Sequence, residues 1–471
     1  MAAGRERTTI DVKAERAVVA AVRLPESRFD PADPFGELTA LTEQAGAQVV
    51  GELVQRLDRP IAGTYMGVGK LDELRGLCER LDASVVIFDH DLSPKQISNI
   101  EKATNCKVLD RSELILDIFA SRATTHAAKI QVELAQLEYT YPRLRAMWDH
   151  LERIVGGSPA GVGTRGPGEQ QLETDRRLVQ KRKIILQNEL ATIQARKRRE
   201  VRSRNVDHFT VGLVGYTNAG KSTLFNTLTA GGAYADDRLF ATLMTRTRDW
   251  DLGGGLKVML SDTVGFVRDL PHNLVASFRA TLEEATHADV LLILLDLSDP
   301  AAEMHLETVH ATLDELFKEV RRVEKRLGDG QAPTPEPRRV LLLNKIDRLE
   351  DNAELLVWMQ NHPDAIPVSA LPGPDGGLLQ GGLAIQDLIR DAARGEVREL
   401  AITIPLTDSK TIHTIENRGE VLDRAYDTPG AVTLTARIGT RQLDQLRSAG
   451  AKFTVAGDQP QTPRDGWGLR T

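Results

Sequence analysis

The chain has 471 residues, which is long for a single domain and predicts about three of them. Hydrophobic residues make up 41% and charged residues 27%, so the composition is that of an ordinary globular protein and excludes a fibrous or largely disordered one. The two cysteines exclude a disulfide framework and a four-cysteine zinc site, and their rarity favours a reducing compartment.

The first seven residues lack the apolar stretch of a signal peptide, and the longest apolar run, 290–295, is far shorter than a membrane span. We therefore expect a cytoplasmic protein with no membrane partner. The net charge of −7 is unevenly distributed, because residues 176–204 contain 11 lysines and arginines against two glutamates. This basic stretch indicates either contact with a polyanion or a solvated helix face, and charge alone does not decide between them.

Residues 15–122 alternate short β-rich runs with helical patterns, such as the run 83–88 between the helical segments 70–81 and 93–103. This alternation predicts an α/β layer. From residue 127 the pattern becomes helical, with one apolar stripe that contains Ile130, Leu134 and Leu137. Pro142 lies in this stripe, so we expect a kink or a break near Tyr141.

A glycine-rich segment, 156–168, cannot form regular structure. Beyond it an apolar residue recurs every seven positions, which predicts a second amphipathic helix with a seam for a partner. We expect the two helices to form an antiparallel hairpin with the glycine loop at its tip. The seam residues are Leu172, Val179, Leu186 and Ile193, supported by Leu178, Ile185 and Leu190.

The next region contains four nearly continuous apolar runs, which are typical of a parallel sheet covered on both faces. They are residues 211–214, 258–260, 290–295 and 340–343. The last region reads strand, helix, two strands, helix and strand, a βαββαβ order that predicts a small split-βαβ sandwich. These elements are expected at 399–404, 410–416, 420–425, 431–438, 440–449 and 451–455.

A phosphate-binding loop follows the first strand of the parallel sheet. The run 211–214 leads into Gly215-Tyr216-Thr217-Asn218-Ala219-Gly220-Lys221-Ser222-Thr223, and a helical pattern begins directly after it. Glycines allow backbone N–H groups to turn toward phosphate oxygens, and the helix N-terminus adds its positive dipole end. Lys221 is expected to reach the β- and γ-phosphates, and the Ser222 hydroxyl is expected to ligate Mg²⁺.

Residues 63–71 superficially resemble a second such loop, with Lys70 in the place of the lysine. The spacing is one residue too long, and Leu71 stands where the hydroxyl belongs. We therefore predict a turn that leads into a helix.

Two further segments are suited to reading the γ-phosphate. Asp262 ends a predicted strand and Gly265 follows three residues later, so the carboxylate can hold a Mg²⁺-bound water and the glycine N–H can contact the γ-phosphate. Thr242, between Phe240 and Leu243, could complete the metal shell. Each of these signals is weak alone.

Base selection is a sharper signal. The run 340–343 ends in Asn344-Lys345-Ile346-Asp347, and Asp347 can accept two hydrogen bonds from N1–H and the exocyclic amine of guanine. Adenine offers no matching pair of donors. Ser369 and Ala370 follow the next short strand, where a backbone N–H can reach the guanine carbonyl.

All five elements occur in order in one α/β region, so we predict a Mg²⁺-dependent GTPase. The expected catalytic residues are Lys221, Thr242 and Gly265, and the expected metal ligands are Ser222 and Thr242, with Asp262 acting through water. The expected GTP-binding residues are Gly215, Tyr216, Thr217, Asn218, Ala219, Gly220, Lys221, Ser222, Thr223, Phe240, Ala241, Thr242, Leu243, Met244, Asp262, Thr263, Val264, Gly265, Asn344, Lys345, Ile346, Asp347, Ser369, Ala370 and Leu371.

The predicted fold class is α/β, in four parts. Residues 1–125 form an N-terminal α/β domain and residues 126–205 a basic helical hairpin with a glycine-rich loop. Residues 206–395 form a P-loop GTPase domain with a mostly parallel sheet. Residues 396–471 form a small α+β domain with a disordered tail after residue 457.

The chain resembles the HflX family of bacterial ribosome-associated GTPases. Besides the GTPase motifs, three segments carry the resemblance, which spans roughly residues 65–370. They are Leu-Ile-Leu-Asp-Ile-Phe-Ala at 114–120, Gln-Val-Glu-Leu-Ala-Gln-Leu-Glu-Tyr at 131–139, and Gly-Val-Gly-Thr-Arg-Gly-Pro-Gly-Glu-Gln-Gln-Leu-Glu-Thr-Asp-Arg-Arg at 161–177. The last of these, just before the GTPase domain, is the most specific.

The resemblance implies binding to the large (50S) ribosomal subunit, its 23S rRNA and proteins, and splitting of stalled or idle 70S ribosomes under stress. The glycine loop would be the hairpin tip that touches rRNA near the peptidyl transferase centre, and the basic helix would face phosphates. Arg165, Arg176 and Arg177 are the candidate rRNA contacts, which would position the protein rather than specify a sequence. We expect a monomer.

Two positions depart from common patterns. Where the family continues Asp-Pro-Thr after the switch threonine, this chain has Met244-Thr245-Arg246, which puts the ordering of that segment in doubt. Phe266 stands where many small GTPases have a water-positioning glutamine, so we expect slow intrinsic hydrolysis. Asn218 resembles the phosphate-loop asparagine of cation-activated GTPases, where K⁺ takes the role of an arginine finger. An asparagine that merely braces the loop is the alternative.

Other functions are compatible with parts of this pattern. A ribosome-assembly GTPase acting on precursor rRNA is the main alternative to a splitting factor. A non-catalytic RNA-binding protein would not need Lys221, Ser222, Asp262 and Asp347 together. A helicase-like use of ATP would need a second nucleotide site, for which the N-terminal region shows no sequence.

Overall fold

The computed structural model describes residues 15–25, 27, 29, 33–155, 177–196, 209–229, 245–253, 256–268, 285–327, 336–374, 376–395, 397–426, 430–448 and 450–456. The chain divides into two compact units. The first comprises Met1–Gln194, Asp237–Leu243 and Arg268–Arg279, and the second comprises Ala195–Asp236, Met244–Val267 and Ala280–Thr471. No helix in the described ranges combines the length and apolar composition of a bilayer span.

The first unit begins with a parallel sheet in the order β2-β1-β3-β4. Its central strands are buried apolar runs, which suits a sheet with helices on both faces. The strands are β1 (Arg16–Arg23), β2 (Gln48–Arg56), β3 (Val85–Phe88) and β4 (Lys107–Asp110), and the helices are Gly36–Gln44, Val68–Leu81, Pro94–Thr104 and Arg111–Arg122. The predicted α/β layer is therefore confirmed.

Local signals explain two of these helices. Ser93 and Gln96 form a reciprocal capping box, and Pro94 occupies the first helical turn, where its missing N–H costs nothing. The helix Val68–Leu81 begins after Gly67, and the Lys70 ammonium lies 2.9 Å from the Glu73 carboxylate. The prediction of a turn leading into a helix at Lys70 is confirmed.

The hairpin helices are His126–Val155 and 177–196. Their seam contains Ile130, Leu134, Leu137, Leu186, Leu190 and Ile193. An ion pair joins Glu133 to Arg182 and a hydrogen bond joins His126 to Glu189, so the two helices run antiparallel as predicted.

Two details of the hairpin prediction change. The first helix continues through Pro142 rather than breaking there, and the kink, in which a helix continues past the missing N–H, stays a prediction. Leu178 and Ile185 do not support the seam, since they are 59% and 55% exposed. The helix has a second apolar stripe, and Leu186 and Leu190 occupy the face that meets the partner helix. The glycine-rich segment 156–168 and Leu172 lie outside the described residues.

The second unit contains a six-stranded sheet in the order β10-β9-β8-β5-β7-β6. It is parallel, as predicted, except for the edge strand β6, which no sequence signal indicated. The strands are β5 (Thr210–Gly215), β6 (Arg246–Asp251), β7 (Lys257–Asp262), β8 (Val290–Asp296), β9 (Arg338–Asn344) and β10 (Ile366–Pro367). The helices are Lys221–Leu228, Ala302–Leu327, Ala353–Asn361 and Gly382–Arg394.

Smaller elements complete this unit. A short hairpin pairs β11 (Ser369–Pro372) with β12 (Leu378–Gln380). The C-terminal elements are β13 (Val397–Pro405), a helix (Ser409–Arg418), β14 (Glu420–Ala425), β15 (Ala431–Gly439), a helix (Thr440–Ser448) and β16 (Thr454–Val455). Their antiparallel order, β14-β15-β13-β16, confirms the predicted βαββαβ sandwich. The tail predicted to be disordered lies outside the described residues.

Candidate functional site

The phosphate-binding loop lies where β5 ends and the helix Lys221–Leu228 begins. Asn218 adopts the left-handed conformation, with φ of 61°, which asparagine tolerates better than most residues. Gly220 has φ of 95°, and a Cβ there would lie 2.3 Å from Asn344 Nδ2. Only glycine fits this position, so the backbone can turn tightly before the helix.

Lys221 lies inside this loop, with 7% of its surface exposed. Its Nζ donates hydrogen bonds to the Tyr216 carbonyl at 2.7 Å and the Gly215 carbonyl at 3.2 Å. Burial lowers the pKa of Lys221 to about 8, nearby Asp262 opposes this shift, and Lys345 adds to it. An anion at this loop would therefore stabilise a charge that burial disfavours.

A hydroxyl and a carboxylate meet beside the lysine. Ser222 Oγ lies 2.9 Å from Asp262 Oδ2, and Thr263 Oγ1 donates to the Leu213 carbonyl at 2.6 Å, which ties the end of β7 to β5. Hard oxygen donors of this kind suit Mg²⁺. No group of three His, Cys, Asp or Glu side chains in the described part of the chain could hold a metal, so Mg²⁺ here would take further ligands from phosphates and water.

The segment after Asp262 pairs with the phosphate-binding loop. Thr217 N donates to the Phe266 carbonyl at 2.7 Å, and Phe266 N donates to the Gly215 carbonyl at 3.1 Å. A Cβ on Gly265 would lie 2.9 Å from the backbone Cα of Thr217 and 2.9 Å from Lys221 Nζ, so a residue with a side chain would push the two segments apart. The Phe266 ring is buried and has no polar atom with which to orient water.

Asn344 bridges the phosphate-binding loop and strand β11. Its Nδ2 donates to the Ala219 carbonyl at 2.7 Å, and its Oδ1 accepts from Ala370 N at 3.0 Å. The side chain is 1% exposed. The sequence indicated Asn344 as part of the base-recognition motif but gave no sign of these two partners, which lie far away in the chain.

Base-recognition residues lie next to this bridge. Ser369 Oγ donates to Asp347 Oδ1 at 2.5 Å, which orients the carboxylate. Lys345 Nζ lies 2.5 Å from Asp296 Oδ2 at the end of β8. Sequence reasoning missed Asp296, because an acid after an apolar strand is too common a pattern to be informative.

Sequence reasoning also missed an aromatic contact of the phosphate-binding loop. The Tyr216 ring stacks on the His305 ring, with centroids 3.8 Å apart. His305 lies in the helix Ala302–Leu327, so this helix braces one side of the loop.

The second unit therefore brings most of the predicted nucleotide residues to the carboxyl edge of one sheet, which is where α/β sheets bind ligands. These are residues 215–223, 262–265, 344–347 and 369–371. Arg177 is the first described residue of the helix 177–196 and is exposed. Phe240, Ala241, Thr242, Leu243, Met244, Arg165 and Arg176 lie outside the described residues.

Comparisons with known proteins agree with this geometry. Residues 33–120 match the family described as GTP-binding GTPase N-terminal. Residues 122–204 match the GTP-binding GTPase middle region, and residues 210–345 match the 50S ribosome-binding GTPase family. The third match covers the phosphate-binding loop, Asp262, Gly265 and Asn344, and it ends just before Asp347.

Individual relatives cover most of the chain. The GTPase HflX of Escherichia coli is 38% identical over 404 residues, 85% of this chain and 89% of the relative. The GTPase HflX of Magnetococcus marinus is 41% identical over 392 residues, 82% of this chain and 84% of the relative. A crystal structure of a GTP-binding protein from Sulfolobus solfataricus in complex with GDP is 25% identical and covers 80% of this chain and 98% of its own, with a TM-score of 0.38. The Escherichia coli and Magnetococcus marinus relatives are each more than 30% identical and are covered over more than two thirds of their length, so the chain belongs to the HflX family of GTPases.

Proposed function

We propose that this GTPase binds the large ribosomal subunit and splits stalled or idle 70S ribosomes under stress. GTP binding orders the segments around Thr242 and Gly265, and hydrolysis allows release. The protein works as a cytoplasmic monomer, and the segments 1–125, 126–205, 206–395 and 396–471 act as its domains. The observation that carries the proposal is the meeting of Lys221 and Asp262 within residues 210–345, which match a 50S ribosome-binding GTPase family, with Asp347 just beyond the matched segment.

The nucleotide roles follow from the chemistry of the site. Lys221 and the backbone N–H groups of 215–223 bind phosphates, and Asp347, held by Ser369, accepts two hydrogen bonds from guanine. Asn344 keeps the phosphate and base loops together. Ser222, Thr242 and, through water, Asp262 would hold Mg²⁺, which neutralises phosphate charge when bound.

The ribosome-facing role is assigned to the hairpin. The described part of its second helix contains exposed basic residues, among them Arg177 and Lys181, and the stretch 176–204 continues this charge. Phosphate contacts by such residues make binding strongly dependent on salt. We propose that Arg165, Arg176 and Arg177 contact 23S rRNA.

The test combines GTP hydrolysis, with and without purified 50S and 70S particles, with light scattering as a measure of 70S dissociation. We expect strong stimulation by ribosomes and dissociation even with a non-hydrolysable GTP analogue. Slow, unstimulated turnover with intact 70S particles contradicts the proposal and favours a role on precursor rRNA, which binding to immature subunits would then show.

Matched variants separate ribosome binding from nucleotide binding. We expect Arg177→Glu to weaken 50S binding without changing GDP affinity, because the residue lies in the hairpin. Arg75→Glu reverses another exposed arginine, on the helix Val68–Leu81, where it pairs with Glu79, and is the control. Equal loss of 50S binding in both variants would contradict a specific role for the hairpin and leave only a general charge effect.

We also propose that K⁺ activates hydrolysis through Asn218. The left-handed backbone at Asn218 places this residue in the tight turn of the phosphate-binding loop. The expected result is faster GTP turnover in potassium than in sodium salts at matched ionic strength, with Asn218→Ala abolishing the difference. Equal rates in both salts would contradict activation by K⁺, and Asn218 would then only stabilise the conformation of the loop.

A further inference from the structure

One hydroxyl of the phosphate-binding loop is buried and makes no hydrogen bond within the described part of the chain. It is Thr217 Oγ1, and the residue as a whole is 8% exposed. A hydroxyl has one donor and two acceptor positions, and leaving them unused away from water costs free energy. Such atoms are uncommon in folded proteins and require an explanation, for example a catalytic role.

Holding the fold together does not explain the Thr217 hydroxyl. The hydroxyl of Thr263 has such a role, because it donates to the Leu213 carbonyl at 2.6 Å and ties β7 to β5. At Thr217 the backbone makes the equivalent connection, since its N–H donates to the Phe266 carbonyl at 2.7 Å. The side-chain hydroxyl is therefore available for another partner.

Thr217 lies at the end of the loop where the terminal phosphate is expected. A Cβ built on Gly265 would lie 2.9 Å from Lys221 Nζ, 2.9 Å from Thr217 Cα and 3.2 Å from Thr217 Cβ. All three residues belong to the second compact unit, and they surround one small space. A γ-phosphate that contacts both the Lys221 ammonium group and the Gly265 N–H must therefore lie beside the Thr217 side chain.

The chemistry of the γ-phosphate suits a hydroxyl donor at this place. A hydrogen bond to a charged oxygen is shorter and stronger than one between neutral groups. Phosphoryl transfer spreads negative charge over the oxygens of the γ-phosphate, and a donor that is already in place stabilises this charge without reorganisation. The buried Phe266 ring nearby has no group that could take this role.

We propose that Thr217 is a catalytic residue, whose hydroxyl donates a hydrogen bond to a γ-phosphate oxygen of GTP. GDP lacks this oxygen, so the hydroxyl both favours GTP over GDP and stabilises the transition state of hydrolysis. The inference rests on the proposed contacts of Lys221 and Gly265 with the γ-phosphate. It assigns to the Thr217 side chain a role that the backbone of the loop does not supply.

Two variants of the full-length protein separate the hydroxyl from the shape of the side chain. Thr217→Val replaces the hydroxyl by a methyl group of similar size, and Thr217→Ser keeps the hydroxyl. Thr286→Val is the matched control, because Thr286 is a buried threonine of the same unit, 1% exposed. It precedes β8 and so lies toward the amino edge of the sheet, opposite to the phosphate-binding loop.

The measurements are made in one potassium buffer without ribosomes. They are kcat and KM for GTP, the Kd values of GDP and of a non-hydrolysable GTP analogue, and the thermal unfolding temperature. Comparing the two Kd values isolates the γ-phosphate, because it is the group that distinguishes the two ligands.

We expect Thr217→Val to lower kcat/KM for GTP about 10-fold or more, the scale of a hydrogen bond to a charged group. The Kd of the GTP analogue should rise about 3-fold or more, whereas the Kd of GDP should stay within about 2-fold. Thr217→Ser should stay within about 3-fold of the wild type in each quantity. Thr286→Val should lower only the unfolding temperature.

Equal losses of affinity for GDP and for the GTP analogue in Thr217→Val would overturn the inference, because the side chain would then only support the loop. It is also overturned if Thr217→Val matches the wild type, or if Thr217→Ser is as slow as Thr217→Val. Should Thr217→Val fail to fold, Thr217→Ala removes the same hydroxyl and takes its place in the comparison with Thr217→Ser. A wild-type protein that hydrolyses GTP without splitting ribosomes would overturn the proposed function and leave this test intact.

Discussion

Replacing Asn344 by alanine tests whether this side chain holds the phosphate-binding loop and the base-recognition segment around Ala370 together. The substitution removes the donor to the Ala219 carbonyl and the acceptor of Ala370 N–H. Asn344 is 1% exposed, so both backbone groups lose their partner in a place that water does not reach easily. Each unsatisfied buried group costs about 1–3 kcal/mol.

The two unsatisfied groups in Asn344→Ala together cost about 2–6 kcal/mol. The lower limit corresponds to roughly a 30-fold shift of the equilibrium between the closed and the opened loop. We expect amide hydrogen exchange in residues 366–372, followed by mass spectrometry, to accelerate by at least this factor. GDP binding should weaken as well, because the base loop is no longer tied to the phosphate-binding loop.

Asn352→Ala provides the control. Asn352 is exposed and makes no side-chain cap for the helix Ala353–Asn361, so its exchange pattern and GDP affinity should match the wild type. If Asn344→Ala also matches the wild type, the two hydrogen bonds do not hold the loops together, and the reasoning is refuted.

Three further predictions concern other parts of the protein. Asp347→Asn should weaken GTP binding by about 100-fold or more, because two hydrogen bonds to a charged group are lost, and the variant should prefer xanthosine triphosphate. Asp364→Asn is the control, because Asp364 is exposed, and it should change neither affinity. Burial lowers the pKa of Lys221 to about 8, and bound phosphates raise it again, so GDP binding at pH 8 should take up about half a proton. GDP binding should also weaken as the pH rises further. Calorimetry in buffers of different ionisation enthalpy measures the proton uptake, and no uptake would contradict this prediction. Leu186→Ala should destabilise the hairpin by about 2–5 kcal/mol, whereas Ile185→Ala, at an exposed position, should cost less than about 0.5 kcal/mol. Amide hydrogen exchange in residues 182–194 measures this difference, and equal exchange rates in the two variants would contradict the prediction.

Local patterns predicted the phosphate-binding loop and the parallel strands well. The loop is a short contiguous segment between a strand and a helix, and its residues act through their own backbone. The strands β5, β8 and β9 read as continuous apolar runs because both faces are covered. By contrast β6, Arg246–Asp251, is polar and lies at the sheet edge, where no apolar pattern is needed.

The hairpin shows where a pattern becomes ambiguous. A seven-residue repeat identifies which residues form apolar stripes, and the helix 177–196 has two of them. Leu186 and Leu190 pack against the partner helix, while Leu178 and Ile185 stay exposed. The partner helix, rather than the repeat, decides which stripe is buried.

The sequence by itself determined the reaction class, since Lys221, Asp262 and Asp347 stand in motifs whose spacing is local. Only the tertiary structure decided how these motifs are held together. Asn344 meets Ala219 and Ala370 across long stretches of chain. Such contacts depend on the order in which strands join their sheets, and a pair of polar residues far apart in a sequence does not reveal that order.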